Sequence, residues 1–285
     1  MKLRAQGRKP VVVAPVRASA AVAAAYRAQL QRLIEAMHLA TVHALKTAWS
    51  SAKLPLTDVI SDAGPEAILT KAMKKLARQW QRNFSDASKQ AAKTFADKSL
   101  RHQDVAFRKA LSDKGWAVKF QTTPSVEDAL DDIVAENVDL IRSIPEKYFE
   151  DIREQVLESV RAGRSMSKLT EHLEHVYGVT HRRAALIARD QNNKATALIH
   201  RIRQKDVGIT KAKWIHTAAS VHPREEHIAW DGELYDISTG MYSEEDGEYV
   251  WPGTPINCGC TSMSVIPGLE DDDETSTTDD EEGAA

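Results

Sequence analysis

The sequence contains few cysteines, aromatics, glycines and prolines, and it lacks a long apolar run. Two cysteines in 285 residues exclude a disulfide scaffold and fit a reducing compartment. Cys258 and Cys260 are one residue apart, which disfavours an unstrained bridge between them. No apolar stretch approaches the roughly 18 residues of a membrane span, and no secretory signal pattern is present. With 6% aromatics, 13 glycines and 10 prolines, the composition favours helix.

Charge is unevenly distributed along the chain. The net charge is -3, but residues 270–282 contain only acidic charges, so the preceding part is mildly basic. A mildly basic body tolerates DNA or acidic protein surfaces without being a nucleic-acid signature. The acidic stretch has no apolar residue before the closing alanines, which predicts disorder.

Apolar periodicity predicts a mainly α fold, with long helices in the N-terminal and central parts. A small α+β module with short antiparallel strands follows. The predicted organisation is a basic flexible arm (1–18), an N-terminal helical region (19–123), a central helical part (124–208), the small motif-bearing module (209–269) and an acidic disordered tail (270–285).

Turn and cap signals divide these regions further. Helices are predicted to end near Gly115, before Pro145, at Gly163, at Gly178 and at Gly208, with Ser143 and Thr180 as caps. Alternation predicts short strands over residues 116–120, 213–217, 234–237, 248–251 and 261–266.

A metal site is one hypothesis for the segment from Trp214 to Cys260. His222, His227, Cys258 and Cys260 are residue types that hold zinc in a closed tetrahedral site. The cysteines are one residue apart rather than the usual two to four. The alternative is therefore a turn in which the thiols merely pack together.

Catalysis is a second hypothesis for the same segment. A cysteine nucleophile with a distant histidine lacks a local signature here. Arg224, His227 and Asp231 offer a phosphate-binding cation and an acid or base, but no carboxylate pair or glycine-rich loop accompanies them. The favoured interpretation is a structural salt bridge between Arg224 and Asp231, with His227 donating to a backbone carbonyl. The sequence therefore predicts a protein that is not an enzyme.

DNA contact by basic side chains is a further hypothesis. Such clusters neutralise phosphates, although solvated helix faces look the same and aromatic interleaving is absent. The candidate residues are Lys2, Arg4, Arg8, Lys9 and Arg17 in the arm and Lys71, Lys74, Lys75, Arg78, Arg82, Lys89, Lys93 and Lys98 in the second helix.

An ordered set of motifs lies between residues 136 and 266. It begins with Glu136-Asn137-Val138-Asp139-Leu140-Ile141-Arg142-Ser143-Ile144-Pro145, continues through Arg161-Ala162-Gly163-Arg164-Ser165 and an Ala-rich helix from Ala184 to Gln191, and ends in the module. The module contributes Trp214, Pro223, Arg224, His227, Asp231, Gly232, a Pro-Gly-x-Pro element that ends at Pro255, Asn257, Cys258 and Cys260. In this order and spacing, the chain resembles the phage Mu F-like head morphogenesis family of minor head proteins. Gly259 stands where the family usually has arginine, and Ala218, Ala219 and Ser220 stand where relatives often carry an acid.

The resemblance implies a non-catalytic virion protein, present in few copies and associated with the portal vertex. It implies portal and other head proteins as partners, with packaged double-stranded DNA as a further candidate, and no membrane or small-molecule substrate. The expected location is the virion head, with the host cytoplasm during assembly. The expected role of Trp214, Arg224, His227, Asp231, Gly232, Pro255, Asn257, Cys258 and Cys260 is structural, with no cofactor unless zinc is bound. The alternatives are a metal-dependent hydrolase or nuclease using His227, Cys258 and Cys260, and a DNA-binding protein ejected with the genome.

Overall fold

A computed structural model describes Leu3 and residues 9–52, 65–161, 166–217 and 223–267. Strand β1 (Val11–Val12) is followed by four long helices, α1 (Ala20–Ala52), α2 (Pro65–Ser112), α3 (Pro124–Arg161) and α4 (Met166–Asp206). The remaining elements are β2 (Lys211–Ile215), α5 (Glu225–Ala229), β3 (Leu234–Asp236), β4 (Met241–Ser243), β5 (Glu248–Val250) and β6 (Thr261–Ile266). The predicted fold class, long helices followed by a small module of short antiparallel strands, is confirmed.

The four long helices share one apolar core. The side chains that recur at helical spacing in the sequence are the ones that are buried, including Tyr26, Leu30 and Met37 of α1 and Phe84 and Phe95 of α2. Burial of each large apolar side chain contributes about 1.5–3 kcal/mol. Within the described ranges, no helix has the length and apolar character that a bilayer crossing requires.

Helix α3 continues through Pro145, where the sequence predicts a new helix. Proline removes a backbone donor and crowds the preceding turn. Side chains supply donors to carbonyls in this turn: Gln81 Nε2 donates to the Arg142 carbonyl at 3.2 Å, and Ser143 Oγ donates to the Leu140 carbonyl at 2.8 Å. Ser143 therefore bonds backward inside a continuous helix, and the predicted break is wrong.

Two other local predictions are also wrong. Helix α4 continues through Gly178, and the Thr180 hydroxyl, predicted as a cap, donates to the Val176 carbonyl at 2.8 Å within the helix. The segment Trp116–Phe120, predicted as a strand, is irregular. Its alternate apolar residues pack against the core of the C-terminal module, which explains the alternation without strand pairing.

A buried polar network joins three of the long helices. Asn137 of α3 accepts a hydrogen bond from the Tyr26 hydroxyl at 2.8 Å and donates to Gln191 of α4 at 2.9 Å. Gln191 in turn donates to Glu136 at 2.7 Å. Buried polar groups destabilise a fold unless they are bonded. The first motif and the end of the Ala-rich motif in the sequence therefore hold α1, α3 and α4 in register.

The C-terminal module contains two antiparallel sheets. The larger has the strand order β1-β6-β2-β3, and the smaller is the β4-β5 hairpin. In the larger sheet, β2 is the central strand next to β6, with Trp214 opposite Ser262. Strands β3 and β6 agree with the sequence prediction to within one residue, whereas β1 and β4 were not predicted.

The start of the chain belongs to this module. The Leu3 N–H donates to the Val207 carbonyl at 3.0 Å, and the Val13 N–H donates to the Ser264 carbonyl at 2.9 Å. The Leu3 and Val13 side chains are buried in the module core. The prediction of a flexible arm therefore does not hold for Leu3 or for residues 9–18. The predicted acidic tail at residues 270–285 lies outside the described residues.

The module core rests on the long helices. Trp214 is its largest side chain and is fully buried, and Tyr235, Ile237 and Ile266 belong to the same cluster. Phe107, near the end of α2, also lies in this cluster. The module and the helical body therefore share helices and are not separated by a linker.

Low pH is expected to destabilise the contact between the C-terminal module and the long helices through His200 of α4. Complete burial lowers the pKa of His200 from 6.5 to about 4, and Gln103 Nε2 donates to its Nδ1 at 2.7 Å. Because the folded-state pKa is the lower one, the unfolded chain takes up the proton first as the pH falls. The free energy of unfolding is therefore expected to fall by about 3 kcal/mol through this residue between pH 6.5 and pH 4.

The check is the difference in urea-unfolding free energy between pH 7 and pH 4.5 for wild type, His200→Gln and the exposed control His43→Gln. His200→Gln should show the weaker pH dependence, and the control should match wild type. An identical pH dependence in wild type and His200→Gln would contradict the prediction.

Candidate functional site

Both cysteines face the module core from the turn that leads into β6. Side chains two residues apart on an extended chain point to the same side. Cys258 and Cys260 therefore share one face although only Gly259 separates them, and they are 5% and 6% exposed. Both are free thiols. The one-residue spacing, which argues against a zinc knuckle in the sequence, brings the two sulfurs together here.

His227 completes a cluster with the two thiols. It lies on α5 and is 3% exposed. Its Nδ1 is 3.5 Å from Cys258 Sγ and 3.8 Å from Cys260 Sγ. The ring stacks on Trp230 and meets the edge of Trp214, with centroids at 5.4 Å and 4.9 Å. One ligand atom from each of the three residues lies within 4.8 Å of the others.

His216 is a fourth candidate that the sequence prediction missed. It follows β2, two residues after the buried Trp214, and its Nδ1 is 3.6 Å from Cys260 Sγ. Its backbone N–H donates to Asp231 Oδ1 at 2.8 Å. The sequence alone could have indicated His216, because a residue two positions after a buried strand residue faces the same side of the strand. His222, the fourth candidate predicted from the sequence, lies outside the described residues.

Helix α4 holds the cysteine turn from the other side. Asn257 has a left-handed backbone, with φ of 59°, and its N–H donates to Asp190 Oδ1 at 2.6 Å. Asn193 Nδ2 donates to the Cys258 carbonyl at 3.0 Å. Asparagine tolerates this conformation better than most residues. The Ala-rich motif on α4 and the Asn-Cys-x-Cys motif are therefore in direct contact.

The Pro-Gly-x-Pro element sets the approach of this turn to α4. At Gly253, with φ of +87°, an added Cβ would lie 3.1 Å from Ala197 Cβ and 3.2 Å from the Cys260 carbonyl oxygen. Only glycine fits this position without strain. The Pro255 carbonyl then accepts the Cys258 N–H at 3.0 Å. By contrast, a Cβ added at Gly259 would meet only Thr217, at 3.8 Å or more, which is ordinary van der Waals contact.

The predicted partners of Arg224 and His227 are wrong. Arg224 pairs with Glu245 at 3.4 Å and Asp246 at 3.7 Å, in the β4-β5 turn, instead of Asp231. His227 points Nδ1 at the thiols instead of donating to a carbonyl, and its Nε2 has no hydrogen-bond partner among the described residues. Both errors arise from long-range partners that local spacing does not reveal.

Two further contacts order the loops around the cluster. Glu226 accepts hydrogen bonds from Ser243 Oγ at 2.7 Å and from the Glu244 N–H at 2.9 Å, and the Ser243 bond is the main reason that the pKa of Glu226 is lowered. The Gly232 N–H donates to the Trp214 carbonyl at 2.8 Å from a left-handed turn, with φ of +83°. The turn between α5 and β3 thus lies against the strand that carries Trp214.

The pKa values of the two thiols are shifted in opposite directions. A hydrogen bond from Cys258 lowers the pKa of Cys260 to about 7, and the same interaction raises the pKa of Cys258 to about 12. Cys260 is therefore the readier thiolate, which is the form that binds metals or acts as a nucleophile. A cavity of about 220 Å³, lined in part by His216, His227 and both cysteines, gives access to the cluster.

The nine residues singled out in the sequence all lie in this module. His227, Cys258 and Cys260 form the cluster, and Trp214 packs against it. Arg224, Asp231, Gly232, Pro255 and Asn257 hold the surrounding loops through the contacts described above. Chemically, the two sulfurs and the imidazole nitrogen of the cluster form a soft ligand set. The Arg224 and Asp231 side chains instead make contacts that hold the surrounding loops.

Comparison with known proteins supports the resemblance read from the sequence. Residues 150–263 match the family described as Phage Mu protein F like protein. The chain is 26% identical over 263 residues to an uncharacterized protein of Haemophilus influenzae. That alignment covers 90% of this chain and 56% of the relative, so the chain spans little more than half the relative's length. No solved structure matches significantly.

Proposed function

We propose that this protein is a phage minor head protein acting in head morphogenesis, because residues 150–263 match the family described as Phage Mu protein F like protein. Its place is the portal vertex, in the virion and, during assembly, in the host cytoplasm. The family match carries the proposal. The matched region includes the end of α3, all of α4 and the cysteine cluster; α3 contacts α4, and α4 contacts the turn that carries the cysteines.

The long helices provide a docking surface in this proposal. Helix α2 has 48 residues, which corresponds to about 72 Å at 1.5 Å per residue. A helix of this length offers an extended surface for a protein partner. The portal protein and other head proteins are the proposed partners.

The proposed role is non-catalytic. Arg224 is held by Glu245 and Asp246, and the Asp231 carboxylate accepts the His216 N–H, which supports a structural use of both side chains. The rival hypothesis is a metal-dependent hydrolase or nuclease that uses His227, Cys258 and Cys260. Nucleic-acid cleavage by the metal-loaded protein that disappears in His227→Ala would favour the rival.

Co-expression with the portal protein of the same phage genome tests the proposed partnership. The expected result is a complex that co-elutes in size-exclusion chromatography at micromolar concentration. An unrelated portal protein is the control for non-specific association. Separate elution of the two proteins, with both correctly folded, would contradict portal association.

A second candidate function, contact with packaged DNA, is favoured by the exposed face of α2. Five cations lie within twelve residues and line one shallow groove: Lys71, Lys74, Lys75, Arg78 and Arg82. A cation row of this kind can follow a phosphate backbone. The first residues of the chain are poorer candidates for truncation, because Leu3 and Val13 belong to the module core.

Replacing Lys71, Lys74 and Lys75 by Gln is expected to weaken binding to double-stranded DNA and to reduce its salt dependence. If all three contact phosphates, the slope of log affinity against log salt falls by about 2 to 3. The matched control replaces the exposed Lys109, Lys114 and Lys119, which changes the charge equally. Equal slopes for the two triple variants would rule out specific contact through α2.

A further inference from the structure

We propose that Cys258, Cys260, His227 and His216 bind one structural Zn²⁺ ion, a site that does not depend on the proposed role in head assembly. The first observation is convergence. Three buried groups, two thiols and an imidazole, place one ligand atom each within 4.8 Å of the others, and His216 Nδ1 is 3.6 Å from Cys260 Sγ.

The distances from His227 Nδ1 to the two sulfurs fit a tetrahedral site. With Zn–S of about 2.3 Å and Zn–N of about 2.0 Å, sulfur and nitrogen ligands of one zinc ion lie about 3.5 Å apart. The observed separations of His227 Nδ1 from the two sulfurs are 3.5 Å and 3.8 Å.

The ligand set selects the metal. Two sulfurs and two imidazole nitrogens in tetrahedral geometry are typical of zinc. On binding, each thiol releases its proton to solvent and both imidazoles remain neutral. Zn²⁺ with two thiolates therefore carries no net charge. Burying this neutral group costs less free energy than burying an unpaired charge.

The structure around the cluster has the form of a structural site. The four side chains come from three segments: the end of β2, α5 and the turn before β6. Strands β3, β4 and β5 have three residues each and bury little apolar surface, so a metal would join loops that packing holds weakly. Four protein ligands leave no open position for substrate, unlike a catalytic site with three ligands and water.

Neighbouring residues position the ligands. The Trp214 and Trp230 rings fix the plane of His227, the Asp231 carboxylate holds the backbone of His216, and Asn193 holds the carbonyl of Cys258. Contacts of this kind around a metal site set the ligand orientation. The cavity beside the cluster provides an entry path for the ion.

Titration of the reduced, metal-free full-length protein with Co²⁺, followed by displacement with Zn²⁺, tests the site. The expected result is about one metal ion per chain, with thiolate-to-cobalt charge-transfer bands and the visible bands of tetrahedral Co²⁺. Both thiols should react slowly with a thiol reagent in the zinc form and quickly after chelation. Absence of a tetrahedral cobalt spectrum, with both thiols reduced and equally reactive with and without metal, would overturn the proposal.

Ligand variants assign the site. Cys258→Ser, Cys260→Ser and His227→Ala should lose at least about a hundredfold in Co²⁺ affinity, because even residues around the ligands contribute ten- to a hundredfold. His216→Ala should lose affinity similarly while His222→Ala matches wild type. The reverse result for the two histidines would overturn the assignment of His216.

Circular dichroism shows whether the four long helices of each variant are still folded. The helical body has its own core, so its helix content should not depend on the metal site. A variant with wild-type helix content and no metal affinity supports the site. Wild-type affinity in Cys258→Ser, Cys260→Ser and His227→Ala would contradict it.

Discussion

Trp214→Ala is expected to lower the free energy of unfolding by about 3–5 kcal/mol, the range for deleting a large buried aromatic side chain. Trp214 is fully buried at the centre of β2, and its ring meets His227, Trp230 and Tyr235 with centroids at 4.9, 4.8 and 6.2 Å. The lost side chain leaves a cavity between the larger sheet and α5, which the rigid neighbours fill only partly.

Urea unfolding followed by circular dichroism measures this loss. Tyr242→Ala is the matched control, because Tyr242 is an aromatic residue of the same module that is 53% exposed and meets the ring of the equally exposed Tyr249. The control should change stability by about 1 kcal/mol or less. Equal losses in the two variants would mean that Trp214 is not the centre of the module core.

Asp104→Asn is the second large effect, with an expected loss of about 3 kcal/mol. Arg203 is 1% exposed, and its Nε and one terminal nitrogen donate to the two carboxylate oxygens of Asp104 at 2.7 and 2.9 Å. Its other terminal nitrogen donates to the Gln121 carbonyl at 2.7 Å and to Asp206 at 3.1 Å. Removing the Asp104 charge leaves the buried guanidinium with Asp206 as its remaining ion-pair partner among the described residues, so the expected loss is at the lower end of the range for buried pairs.

The control for this pair lies at the C-terminal end of α2. Lys109 and Asp113 form an ion pair at 3.1 Å with side chains 74% and 59% exposed. Exposed pairs contribute little, so Asp113→Asn should change the free energy of unfolding by less than about 1 kcal/mol. A loss in Asp104→Asn no larger than in Asp113→Asn would contradict a stabilising role for the buried pair.

The helices of the helical body could be predicted from the sequence because the apolar spacing that indicates them is a local pattern. Apolar spacing placed α1 and α2 and the residues of their buried faces. The breaks predicted at Pro145 and Gly178 were wrong. Gln81 of another helix donates to a carbonyl near Pro145, and α4 continues through Gly178 with Val176 and Ala184 buried in the helical core. Proline and glycine are local signals that tertiary contacts can override.

The module was less predictable because its contacts are long-range. Strand β1 has two residues and exists only because it pairs with β6, about 250 residues later. Arg224 finds Glu245 and Asp246 in another loop, which sequence spacing cannot show. Cys258, Cys260 and His227 could be predicted as candidates from residue type, whereas the contact of His216 with Cys260 depends on the position of β2 beside the turn.

Helix α4 connects the helical body with the C-terminal module. This helix contributes Gln191 to the network that joins the long helices and contributes Asp190 and Asn193 to the cysteine turn. A partner that binds the helical body would therefore contact helices of which one also touches the module.

Deletion of the gene from its phage or prophage genome, with head particles examined by electron microscopy and titred for infectivity, tests the proposed role most directly. We expect few DNA-filled, infectious heads without the protein and restoration by the wild-type gene supplied in trans. Normal numbers of filled, infectious heads in its absence would contradict a role in head morphogenesis.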